Sequence, residues 1–148
     1  MEKIVPLISS TVAGPLGVLH LPRLWLKILL HAADALPEGY RHGTGGFDEF
    51  LCNNLGLEPA ELIAFIATER PSYSQCEAWV KTHATKLDPE SIAWHNIAIR
   101  TRNMGEQLAA DRRATLNIAD PTFANATTLN DLDDWNGVHA QIVERSKD

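Results

Sequence analysis

A chain of 148 residues that is 45% apolar and 22% charged can build one folded core and falls outside the disordered, collagenous and disulfide-scaffold classes. Thirteen basic against nineteen acidic residues give a net charge of −6, which argues against the basic face of a nucleic-acid binder. Two cysteines make neither a disulfide framework nor a zinc site.

Residues 1–20 read as an extended arm. Pro6, Gly14, Pro15 and Gly17 forbid a helix across it, while Ile4, Val5, Leu7, Ile8, Leu16, Val18 and Leu19 lay it against a core. A short strand-like piece is expected at Lys3–Ile8. Ser9, Ser10 and Thr11 break the apolar run, so no signal peptide is expected.

The first helix opens at Pro22, a good first-turn residue, and is expected to reach about Leu36 before Pro37. Leu21, Leu24, Trp25, Ile28, Leu29, Ala32 and Leu36 keep helical spacing, and Leu26 and Leu30 add a second apolar face. A helix apolar nearly all round is central to a fold or forms one side of an oligomer contact, and a central place is expected. Its run LWLKILL is too short to span a bilayer and contains Lys27.

The stretch from Glu38 to Leu57 follows, a glycine-rich loop feeding a short helix. Gly43, Gly45 and Gly46 suit unusual backbone angles or close approach. Phe47, Phe50, Leu51 and Leu55 make an apolar stripe, and Gly56 suits a left-handed cap. Backbone donors at such a helix start attract anions. GTGG matches neither the P-loop nor the dinucleotide fingerprint, however. Asp48 at the helix start is expected to bridge to Arg100 or Arg102, holding the turn against the helix that carries His95.

Pro59 starts the next helix, which Arg70-Pro71 ends. Ser74 with Glu77 makes a capping box for a helix to about Thr85, and Ser72 with Gln75 is a second candidate. Asp88-Pro89-Glu90 opens a helix to about Asn103. Gly105 ends or kinks it before a further helical stretch to about Leu116. Residues 117–128 read as a loop. A last helix begins near Thr128, with Leu132, Trp135, Val138, His139 and Ile142 inward and Gly137 inside it. The fold class is therefore all-α. The expectation is a compact six- to seven-helix single domain over residues 1–148, with an arm at 1–20 and a helical body at 21–148.

In order and spacing, GVLHLPR (17–23), LPEGY (36–40), GFDEFLCNNLG (46–56), IAWHN (92–96) with Arg100 and Arg102, and LNDLDD (129–134) resemble the domain-of-unknown-function family five-zero-six-nine. That family comprises small bacterial proteins without an established activity. The resemblance spans roughly Pro15 to Asn136 and implies an all-helical fold and a bacterial cytoplasmic setting. It supplies no catalytic residue. Leu26 stands where members often carry an acidic residue, and Gly43-Thr44-Gly45-Gly46 replaces a GKG-type turn. These departures imply a pocket retuned toward a less polar ligand.

Proton-moving candidates are His42, Asp48 and His95. Arg23, Arg100 and Arg102 are candidates to hold an anionic group, with Tyr40 and Trp94 as ligand-lining aromatics. A solvated helix face explains Arg100 and Arg102 equally, and a plain core explains the tryptophans. No HxxxH, HxH or GxSxG occurs, so neither a metal site nor a serine triad is expected. Cys52 and Cys76 fall on apolar stripes and are expected buried and reduced. No cofactor is expected, and the location is cytoplasmic by elimination.

The functional expectation is a small-molecule protein, either a cofactor-independent enzyme or a binding domain for an anionic or partly apolar metabolite. It would be a monomer or homodimer, without nucleic-acid or membrane partners. The alternative is a helical interaction module docking another protein through the first helix. A pocket of convergent polar and aromatic groups favours the first, and a flat exposed apolar patch the second.

Overall fold

Proline and glycine set the borders of the helices in a computed structural model that describes residues 2–147. Seven α-helices and no strand form among these residues, so the protein is all-α: α1 Leu21–Ala32, α2 Gly46–Leu55, α3 Pro59–Glu69, α4 Tyr73–His83, α5 Pro89–Thr101, α6 Glu106–Leu116 and α7 Ala126–Arg145. Prolines stand in the first turn of α1 and α3, where their missing N–H is no loss. Gly56 closes α2 with φ 67°, and its N–H returns to the Asn53 carbonyl.

From the arm to α4, three expectations are corrected. The arm forms no strand, although Ile4 N–H donates to the Ala35 carbonyl at 2.7 Å. The first helix stops at Ala32, because Asp34 adopts φ 55° and the Ala35 N–H returns to the Leu30 carbonyl. Ser72, rather than Ser74, caps α4. Its hydroxyl accepts from Gln75 N–H while the Gln75 side chain accepts from Ser72 N–H. Ser74 loses because Glu77, its would-be partner, instead accepts from Tyr73 and from the arm at Leu16.

The chain divides into two compact units, one ending at Ile99 and one beginning at Arg100. In the first, α1 packs on α3 and α4. Leu21, Leu24 and Ile28 of α1 meet Leu51, Cys52 and Leu55 of α2, Leu62 and Ile66 of α3, and Cys76 and Val80 of α4 in one apolar cluster. Seven of the twelve α1 residues are buried, including Arg23 and Lys27. The helix is therefore central, as expected, but not purely apolar.

In the second unit α6 packs on α7. Asn125 caps α7 by accepting from Thr128 N–H at 3.0 Å, three residues before the expected start. Gly137 lies within this continuous helix. Arg112 pairs with Asp133 at 2.6 Å, and Arg113 donates to the Phe123 carbonyl at 2.7 Å. No single described helix is long and apolar enough to cross a membrane.

Candidate functional site

Arg23 and Lys27 lie one turn apart on α1, so both face the same side. Two cations on a buried face need acceptors, since an unpaired charge in an apolar interior is very costly. Arg23, 4% exposed, donates to the Pro6 and Ile8 carbonyls of the arm at 3.0 and 2.9 Å. Its guanidinium carbon also lies 5.9 Å from the centre of the half-buried Tyr40 ring. These two proposed ligand residues thus meet, with the guanidinium already donating to the arm's carbonyls.

Lys27 faces Asp48. Its ammonium donates to both carboxylate oxygens at 2.8 and 2.9 Å. Asp48 stands in the first turn of α2 and is 1% exposed. It also accepts from His20 Nε2 at 2.7 Å and from Gly43 N–H at 3.0 Å. Its cation is therefore a lysine rather than the expected guanidinium. The turn packs on Ile63 of α3 rather than on the helix that carries His95. A Cβ on Gly43, at φ 124°, would collide with the Ile63 side chain. The backbone donor that was to hold a ligand anion holds the protein's own carboxylate.

His20 carries this network into the arm. It caps α1 in the left-handed region, φ 76°, which for a non-glycine residue costs of order 1–3 kcal/mol. The carboxylate can only accept, so His20 Nε2 bears the proton and Nδ1 accepts from the Ser10 hydroxyl at 2.8 Å. Burial, only partly opposed by Asp48, pulls the His20 imidazole down to about 4, so it is neutral. Burial pushes the Asp48 carboxyl up, but the His20 bond and the Lys27 charge outweigh it and hold the group at about 2. Ser10, His20 and Asp48 are all 2% exposed or less. Ser10, His20 and Lys27 were not among the expected site residues. The signal for Lys27 was present: a second cation one turn after Arg23 on an otherwise apolar helix.

His95 is wholly buried, and both of its ring nitrogens are engaged. Nε2–H donates to the Leu19 carbonyl at 3.0 Å, and Nδ1 accepts from the Asn54 amide at 2.9 Å. Burial lowers its pKa, with the Leu19 bond opposing. Asn96 clamps the same segment, accepting from Leu19 N–H at 3.0 Å and donating to the Gly17 carbonyl at 2.8 Å. His42 is exposed and stacks on His31 at the end of α1, ring centres 3.6 Å apart. Arg100 and Arg102 are exposed in the second unit, where their carbonyls accept from the Asn125 side chain and Ala126 N–H.

Next to His95, the first unit has an open cleft of about 400 Å³ lined by Asn53, Asn54, Lys86, Asp88, Glu90, Ser91 and Trp94. That is within the size range of small-molecule sites. Trp94 is 61% exposed, and its inner side meets the Phe50 ring, centres 6.2 Å apart. Asp88 caps α5 by accepting from Ser91 N–H and Ser91 Oγ. Among the described residues, the side chains of Asn53, Lys86, Glu90 and the Trp94 indole N–H have no protein hydrogen-bond partner. No group of three or more metal-ligating side chains occurs among them.

Both cysteines are free and buried. Burial, then the nearby Asp48 carboxylate, pushes the Cys52 thiol up to about 12, and burial with Glu77 does the same for Cys76.

No curated protein matches the chain. One family model matches it over residues 8–137, a span that contains the arm's Ser10, the α1 cations, the glycine turn and the whole Trp94 cleft. The chain belongs to the family described as Domain of unknown function (DUF5069).

Proposed function

We propose that this protein binds a small polar metabolite in the cleft beside Trp94 and performs no chemistry on it. The observation that carries the reading is the convergence there of an exposed indole with polar side chains that no protein group satisfies. Binding sites need such groups, because a ligand gains only from partners the protein has not already taken. Two of the three proton-moving candidates point the same way. Asp48 and His95 are saturated by hydrogen bonds, and the neutral His95 has no nitrogen left for a substrate. Burial of α1 supports this reading over docking through that helix. Free buried thiols and the family resemblance support a bacterial cytoplasmic setting. Native mass spectrometry of protein from its own host tests the proposal. An adduct of metabolite mass on the wild type, lost in Trp94→Ala, is expected; no adduct on either would overturn it.

A second reading has its own observation. Ser10 donates to His20, and His20 donates to Asp48, the hydrogen-bond order of a serine hydrolase triad with the ring nitrogens exchanged. Ser10 Oγ would then add to an acyl carbonyl carbon, its proton passing to His20 Nδ1 and the C=O π pair to the carbonyl oxygen; that pair returns as the leaving group departs with the His20 proton. Two features rank this second. Ser10 is 1% exposed, and Lys27 already neutralises the carboxylate that would stabilise an imidazolium. Covalent labelling of Ser10 by a fluorophosphonate, absent in Ser10→Ala, would reverse the ranking.

A further inference from the structure

Resting on the binding reading, we infer that the ligand of the Trp94 cleft is a pyranose-type sugar. Charge is the first argument. The cleft presents one cation, Lys86, against two carboxylates, Asp88 and Glu90, so a free anion meets net repulsion. The same net charge draws a cation, so charge excludes only the anion, and the hydrogen-bonding set decides for a neutral ligand.

Hydrogen bonding is the second argument. The unsatisfied set contains donors, the Lys86 ammonium and the Trp94 indole N–H, and an acceptor, the Glu90 carboxylate. The Asn53 amide is both at once, and Asn54 adds a carbonyl oxygen, its amide nitrogen being engaged with His95. Each sugar hydroxyl donates one bond and accepts others, so a ring bearing several of them satisfies this mixed set without ionising. An α-amino acid would need its two charges to meet Lys86 and Glu90 together. A sugar meets the same residues through hydroxyls, with no charge of its own to desolvate.

Shape is the third argument. The Trp94 side chain, in a residue 61% exposed and in tilted contact with Phe50, offers an apolar wall to an otherwise polar cleft. The C–H face of a pyranose is apolar while its rim is polar, which matches that wall and its surroundings. A planar apolar ring would leave the amides and carboxylate desolvated without partners.

The test is ¹H–¹⁵N NMR titration of the full chain with methyl β-glucopyranoside, methyl β-galactopyranoside and N-acetylglucosamine. Leucine and inorganic phosphate serve as counter-probes. The expected result is saturable shifts of the Trp94 indole and the Asn53 and Asn54 side-chain amides with at least one sugar. Its affinity should fall about tenfold in Trp94→Ala and less in Trp94→Phe. Trp94 is exposed, so both variants should keep the wild-type spectrum elsewhere. Shifts at these groups with leucine or phosphate alone would overturn the sugar assignment and leave the binding cleft standing. The same follows from silence toward all five probes while an adduct persists in native spectra. Silence in both experiments overturns the assignment and the binding reading together.

Discussion

Replacing Asp48 is the sharpest test of the physical account. The carboxylate takes four contacts on two oxygens: His20 and Lys27 on Oδ1, Lys27 and Gly43 N–H on Oδ2. Asparagine has the same shape, but its amide nitrogen is a donor. Whichever way it turns, it faces a donor, and the charge opposite Lys27 is gone. Breaking one side of a buried ion pair costs about 3–5 kcal/mol, and a buried N–H left without an acceptor costs about 1–3 kcal/mol. Asp48→Asn should therefore lose at least about 3 kcal/mol at pH 7. For a chain of this size that is roughly 6–12 °C in Tm. Urea unfolding with an unchanged m-value is the assay. Lys27→Met should cost a comparable amount, and the Asp48→Asn, Lys27→Met pair should cost less than the sum by more than about 1 kcal/mol. A loss under about 1 kcal/mol for Asp48→Asn, or strict additivity, would refute the reasoning.

Other outcomes follow from the same geometry. Cys52 and Cys76, both pushed up to about 12 and buried, should resist thiol reagents in native protein and react fully in denaturant; rapid native labelling would contradict the core assignment. Stability should fall as pH drops from 6.5 toward 4, because unfolded His20 takes a proton that the buried ring refuses. It should fall again between about 4 and 2, where Asp48 is protonated more readily unfolded than folded. Urea midpoints across this range, flatter above pH 4 in His20→Gln, are the check. Ile28→Ala, in a side chain 2% exposed at the centre of the first unit's core, should cost about 2–5 kcal/mol; a Tm within a degree of wild type would make α1 peripheral.

The helix borders were legible where one residue decides them. Pro22, Pro59 and Pro89 each start a helix, and Gly56 ends one. They were less legible where two residues compete. Ser72 and Ser74 both read as caps, and the choice rests on Glu77 being drawn to Leu16, a partner 61 residues away. The end of α1 turns on Asp34 taking a left-handed angle that its identity permits but does not demand. Asp48 was legible as the residue holding the glycine turn, through its place at a helix start. Its partner was not, because Arg100 and Arg102 cluster visibly in sequence whereas Lys27 hides inside an apolar run. His95 was legible as important but not as saturated, since its partners are a backbone carbonyl and an asparagine that carry no pattern. Trp94 was named for its ring, while Asn53, Lys86 and Glu90 had nothing to mark them before the α2 end and the α5 start came together.

The two polar clusters of the first unit are one chain of bonds. Lys27 and Gly43 hold Asp48, Asp48 holds His20, and the next residue back along the arm, Leu19, is held through its carbonyl by His95 and through its N–H by Asn96. His95 in turn holds Asn54, whose amide lines the Trp94 cleft. A hydrophobic isostere of the Lys27–Asp48 pair could match its stability, because buried ion pairs gain little over good packing. It could not fix the direction of the His20 ring, nor therefore the path of the arm past Leu19. The clamp thus serves position more than stability. It sets where Leu19 stands, Leu19 sets the His95 tautomer by taking its Nε2 proton, and that tautomer requires Asn54 to turn its amide nitrogen toward His95. The orientation of the Asn54 amide beside the cleft is in this way set by a carboxylate that does not line it.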